Sequence, residues 1–218
     1  KDQKQYNFVE QFNPITRDTE ATGVATRFTK SYDVLDVNFP VLVRILSIAD
    51  MLQILCDTAY NDVKSHSVID KEDIDDFMLA QERKYKGTPK IQAVLDEDDI
   101  MNVREYVDAH VGTAKAKELL ESRFFDVLAR IVPHIRPSEW PQLMSKLWYD
   151  NPDITSLFAR LLQGYEMLDF SKRVYVPISA LLNTTTTLMS SLCLQKLDIA
   201  APTSGNIDPN MGTDLITE

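Results

Sequence analysis

Residues 39–61 read FPVLVRILSIADMLQILCDTAYN, and the reading of this stretch decides the fold class. Arg44, Ser47, Asp50, Gln53 and Asp57 recur every three or four residues, and nearly everything between them is apolar. On a helix these five form one narrow polar stripe beside a very wide apolar face, the pattern of a central, mostly buried helix. The spacing therefore predicts a first helix over 39–61. Asn38 would cap it, and Pro40 would sit in its first turn, where a missing N–H costs nothing.

The same period continues along the chain. A second helix is expected after Asp70 and before Gly87, with Glu72, Asp73, Asp75 and Asp76 in its first turn and Arg83, Lys84 and Lys86 in its last, matching the helix dipole at both ends. Ile74, Phe77, Met78, Gln81 and Tyr85 share a face. A third helix, 97–111, takes Asp96 as cap and Gly112 as stop, with Val103, Val107, His110 and Val111 facing inward. Thr113 opens a fourth, to Val132, whose core face is Leu120, Phe124, Val127, Leu128 and Ile131. A fifth, 139–149, aligns Trp140, Leu143, Met144, Leu147 and Trp148. A sixth, 152–165, aligns Ile154, Leu157, Phe158, Leu161 and Leu162. A seventh, 177–197, carries the run Thr184–Thr187. Only Gly23–Thr29 and Arg173–Val176 look strand-like. The expectation is an all-α, irregular bundle of about seven helices. It is divided into an extended N-terminal arm (1–38), a helical domain (39–197) and an extended C-terminal tail (198–218).

Composition excludes several classes. The chain has 33 acidic and 23 basic residues, a net charge of −10, which argues against duplex nucleic acid as the main partner. No apolar run reaches the ~18–20 residues of a membrane span, so no membrane partner is expected. Cys56 and Cys193 both fall in apolar helical segments and read as buried thiols of a reducing compartment, cytoplasmic or within a virion assembled in cytoplasm. A first residue of Lys rather than Met reads as a fragment or a processed product.

No constellation rises to an enzyme motif. The acidic groups Asp70, Glu72, Asp73, Asp75, Asp76 and Asp96–Asp99 supply oxygen ligands, but both sit at expected helix starts, where acids are favoured anyway. Aligning Asp62–Asp73 as a calcium loop fails at Lys64, His66 and Ser67. His66, His110 and His134 are not at ligand spacing, and neither a glycine-rich phosphate loop nor a G-x-S-x-G elbow occurs. No catalytic residue, metal or cofactor is therefore expected. A helical enzyme with an acidic metal site at Asp73, Asp76 and Asp98 ranks last among the readings.

Two features suggest binding. The arm 1–38 carries Phe8, Phe12, Phe28 and Tyr32 in polar sequence, where collapse alone gains little against an ordering cost of ~1–2 kcal/mol per residue. Together with Trp140 and Trp148 they are the expected partner-binding residues, because aromatics anchor interfaces. The basic patch Arg83, Lys84, Lys86 and Lys90 is the alternative, a phosphate-contacting surface. Finally, the end Leu215-Ile216-Thr217-Glu218 resembles the Ile/Leu-x-Glu sites cut by maturation proteases of large tailed bacteriophages; that resemblance implies a proteolytically matured virion component. The expected function is a non-enzymatic structural or assembly subunit that meets other protein subunits through both arms. The alternative is an accessory subunit of a nucleic-acid-processing complex, a polymerase or packaging machinery.

Overall fold

The computed structural model describes residues 39, 41–61, 63, 69–112, 115–176, 199–201 and 205–207. It is mostly helical with a small sheet, and so bears out the expected all-α irregular bundle. The helices among the described residues are α1 (Ile48–Asn61), α2 (Lys71–Tyr85), α3 (Glu97–Tyr106), α4 (Lys117–Glu121), α5 (Phe124–Ile131), α6 (Trp140–Met144) and α7 (Pro152–Met167). Four strands, β1 (Val41–Arg44), β2 (Arg173–Val176), β3 (Ile199–Ala201) and β4 (Gly205–Ile207), pair antiparallel in that order. The chain divides into two compact units, residues 47–162 and residues 1–46 with 163–218.

In the unit 47–162, α2 and α3 pack on α5, and α1 packs on α3 and on the 3-10 turn Ser145–Trp148. The core holds Leu52, Met78, Phe124, Trp140, Trp148 and Phe158, all at 0% exposure. Ser145 is the one buried polar residue among those described; its hydroxyl lies 2.6 Å from an Asp150 carboxylate oxygen. The Trp148 ring meets Phe158 edge-on at 5.5 Å, and its Nε1–H donates to Thr155 Oγ1 at 2.8 Å. Thr155 Oγ1 in turn donates to the carbonyl of Asn151, whose side chain accepts from the amides of Asp153 and Ile154 and so caps α7.

In the other unit, β1 and β2 pair Val41 with Val176 through Arg44 with Arg173, and the Ile45 amide donates onward to the Lys172 carbonyl. Val43, Ile45 and Val174 are buried. The chain leaves α7 through Asp169 and Phe170, both at φ 52, a left-handed conformation that costs a non-glycine residue roughly 1–2 kcal/mol. Phe170 stacks edge-on against Tyr165 at 5.8 Å, a contact that helps offset this strain.

Several expectations are corrected. The first helix does not begin at 39: Val41–Arg44 is a strand, because β-branched valines meet an equally β-prone partner in Arg173–Val176, a pairing that a local period does not reveal. The helix starts at Ile48, with Ser47 in the capping place expected of Asn38. The Ser47 and Asp50 side chains accept each other's backbone N–H at 3.1 and 2.8 Å. Asp70 and Asp96 cap α2 and α3 as expected, Asp96 in a full capping box with Asp99. The third helix ends in a π turn, Val107–Gly112, which rotates His110 from the expected inward face to the surface, where it stacks on Tyr106 at 4.4 Å.

The fourth helix is two. It breaks at Ser122–Arg123, and in its first part Leu119 rather than Leu120 is the buried leucine. The fifth is a 3-10/α/3-10 succession over Pro137–Trp148, and the sixth runs on to Met167. The expected strand Arg173–Val176 is present. Asn38, Pro40, Thr113, Gly23–Thr29 and the seventh helix, 177–197, lie outside the described residues.

Two positions on α1 report how its apolar face is used. Leu52 is 0% exposed and Ile54 is 49% exposed. Leu52→Ala should destabilise by about 2–5 kcal/mol and Ile54→Ala by less than about 0.5 kcal/mol in chemical denaturation. Equal costs at the two positions would contradict the observed orientation of the helix.

Candidate functional site: a basic cleft beside the second helix

The first turn of α2 shows what the acidic groups do. Asp75 accepts from the Arg123 amide at 2.7 Å and from Lys71 Nζ at 2.7 Å, so it serves the start of α5 across the helix break at Ser122–Arg123. Glu118 returns the favour by accepting the Lys71 amide at 3.2 Å. These carboxylates are spent on helix ends, and no cluster able to hold a metal occurs among the described residues. Asp73 and Asp76 flank this capping carboxylate on the same helix, and Asp98 stands apart in the first turn of α3.

The last turn of α2 opens onto a cleft of about 550 Å³. Arg83 lines it from α2 and Lys86 from the residue just after that helix, Arg130 from α5, and His134 from the 3-10 turn Val132–His134; Leu79 and Ile131 supply the apolar part of the wall. Arg130 donates to Glu82 at 2.8 Å. His134 donates from Nδ1 to the Thr88 carbonyl at 2.7 Å, which fixes its ring. Thr88 closes the end of α2, its amide and hydroxyl both donating to the Tyr85 carbonyl, at 3.1 and 2.7 Å.

The predicted patch is thus divided. Arg83 and Lys86 reach the cleft, whereas Lys90 is exposed outside its lining. Lys84 turns to Glu139, at 2.8 Å, and lies 4.8 Å from the Tyr85 ring centroid; the Tyr85 hydroxyl donates to the same Glu139 oxygen at 2.9 Å. Hydrogen bonds from Lys84 and then Tyr85 hold the Glu139 carboxyl below its ordinary range. Sequence reasoning missed Arg130 and His134. They arrive because the Ile91 amide bonds the Pro133 carbonyl and the Gln92 side chain bonds the Val132 carbonyl, long-range ties that leave no periodic signal.

Trp140 and Trp148, expected as partner anchors, are both fully buried and serve the core instead, because each indole finds more apolar surface inside the unit than outside it. Phe8, Phe12, Phe28, Tyr32, His66 and Cys193 lie outside the described residues. Cys56 is buried, its Sγ 4.0 Å from the Leu147 carbonyl; burial, with the Asp57 charge adding to it, pushes its thiol far above the ordinary range. Burial likewise raises Tyr60, packed 4.9 Å from the Tyr149 ring. No described helix is long and apolar enough to cross a membrane.

Two measurements follow from this geometry. Because its folded pKa is depressed, the Glu139 interaction should persist above the unfolded value and be lost as pH falls through the folded one. The Glu139 carboxyl carbon resonance should titrate below ordinary glutamate, and Lys84→Met should move the midpoint upward; an unmoved midpoint would contradict the Lys84 contact. In a Cys193→Ser chain, Cys56 should ignore an aromatic disulfide reagent until guanidinium unfolds the protein. Rapid labelling in native buffer would contradict its burial.

No curated protein and no solved structure matches the chain. A family model described as "Putative bacterial virulence factor" matches residues 2–199. Because that match covers nearly the whole of the 218-residue chain, the protein belongs to this family.

Proposed function

We propose that the chain is a non-enzymatic subunit of a larger bacterial protein assembly, joined to its neighbours through segments 1–38 and 198–218. One observation carries this reading. Several of the described groups able to do covalent or proton chemistry are engaged in holding the fold. Cys56 is enclosed and protonated, His134 is tied to Thr88, His110 is stacked on Tyr106, and Asp70, Asp75 and Asp96 cap helices. The aromatic content of segment 1–38 supports a docking role for it, and the family description supports a bacterial setting. The accessory role in a nucleic-acid complex draws on Arg83 and Lys86, and the net charge of −10 weighs against it.

The test is native mass measurement of the tagged chain purified from a bacterium that encodes it. It should elute in a complex of fixed stoichiometry, well above its own 24.9 kDa. A Phe8→Ala, Phe12→Ala, Phe28→Ala, Tyr32→Ala variant should return it to the single-chain mass with the thermal midpoint unchanged. A single chain in both preparations would overturn the reading.

A further inference from the structure

We propose that the cleft beside α2 docks a short acidic segment of a partner protein. This rests on the reading of the chain as an assembly subunit and adds what one of its surfaces recognises. The first argument is charge. The cleft lining carries Arg83, Lys86 and Arg130 against the single carboxylate of Glu82, a local balance of 3 − 1 = +2 on a chain of net −10. Arg83 and Lys86 are exposed and have no ion-pair partner among the described residues, whereas Lys71, Lys84, Arg104 and Lys146 are paired. Arg130 spends one N–H on Glu82, which holds the guanidinium in place, and a guanidinium carries five donors. The tie from His134 to Thr88 fixes the imidazole at the cleft wall.

The second argument is the size and nature of the ligand. Charges separated by more than about 8–10 Å are screened at physiological salt, so a short anionic segment senses the local +2. A long polyanion would also meet the acidic body of the chain. Base stacking needs an open aromatic face, but Tyr85 is half-buried, its hydroxyl is held by Glu139, and Lys84 lies at its ring. Leu79 and Ile131 offer an apolar wall, which suits a peptide side chain between carboxylates. The volume of about 550 Å³ lies within the range of small-ligand pockets. The negative end of the α2 dipole, which would oppose an anion, is partly satisfied by the two Thr88 bonds to the Tyr85 carbonyl.

The probe is a short fluorescein-labelled peptide of alternating Asp and Glu with a central Leu, titrated with the full chain and read by anisotropy. A labelled single-stranded oligonucleotide and a Lys/Leu peptide serve as comparisons. The acidic peptide should bind in preference to both, and the affinity should fall with salt. Arg83→Glu with Lys86→Glu should weaken it on the order of tenfold or more. Lys90→Glu with Lys117→Glu, which makes the same change in net charge outside the cleft, should change it less than about twofold. Circular dichroism checks that each variant is folded, and Arg130→Gln provides an independent loss. The proposal is overturned by absent peptide binding, by tighter binding of the oligonucleotide, or by equal losses in the two double variants. If peptide binding is absent while the native complex persists, the cleft proposal fails alone. If the chain binds the peptide yet purifies as a single chain, the assembly reading fails alone.

Discussion

The indole of Trp148 is fully enclosed, and a buried indole needs an acceptor for its N–H as well as apolar surroundings. Both demands are met locally. The ring lies against Phe158 of α7, and the N–H reaches Thr155 one turn earlier on that helix. Thr155 passes the bond to Asn151, the residue that caps the helix. The entry angle of α7 is thereby tied to the position of one side chain in the preceding 3-10 turn. The Cys56 contact with the Leu147 carbonyl adds α1 to the same point. A change that empties this position would remove apolar volume and leave a hydroxyl and a helix cap without their organiser.

A second constraint is the exchange of carboxylates between helix ends. Asp75 on α2 serves α5, and Glu118 on α4 serves α2. Short helices such as α4 and α5 have little stability of their own, because nucleating a helix is costly and few residues follow to repay it. At the start of α5 the borrowed Asp75 carboxylate takes the Arg123 amide, beside a local bond from the Phe124 amide to Ser122 Oγ at 3.1 Å. The same arrangement explains why an acidic composition coexists with a described surface on which many carboxylates are engaged.

Where caps are local, the chain was readable. Asp70, Asp96 and Gly112 delimit α2 and the helix that runs through α3 into the π turn close to the expected residues, since each signal lies within a turn of the boundary it sets. The apolar faces around Trp140 to Trp148 were readable for the same reason. The start of α1 was not. Val41–Val43 and Ile48–Leu55 form one apolar run, and what separates strand from helix is a partner strand far along the chain. The cleft was half legible. Arg83 and Lys86 stand close together in sequence, but Arg130 and His134 join them only through tertiary bonds.

The π turn at Val107–Gly112 has a consequence for how the length of this helix can change. A π turn accommodates one more residue than an α turn over nearly the same rise, so the extra residue is taken up sideways. Within the turn Val107 and Val111 are buried, and Asp108, Ala109 and His110 between them are exposed. A one-residue insertion elsewhere in a helix of this core would rotate every following side chain by about 100° and misalign its buried face. At this turn alone among the described helices, the register has already absorbed such a step. Deleting one residue within Asp108–His110 should therefore return the turn to an ordinary α-helix and leave the helix before it in register.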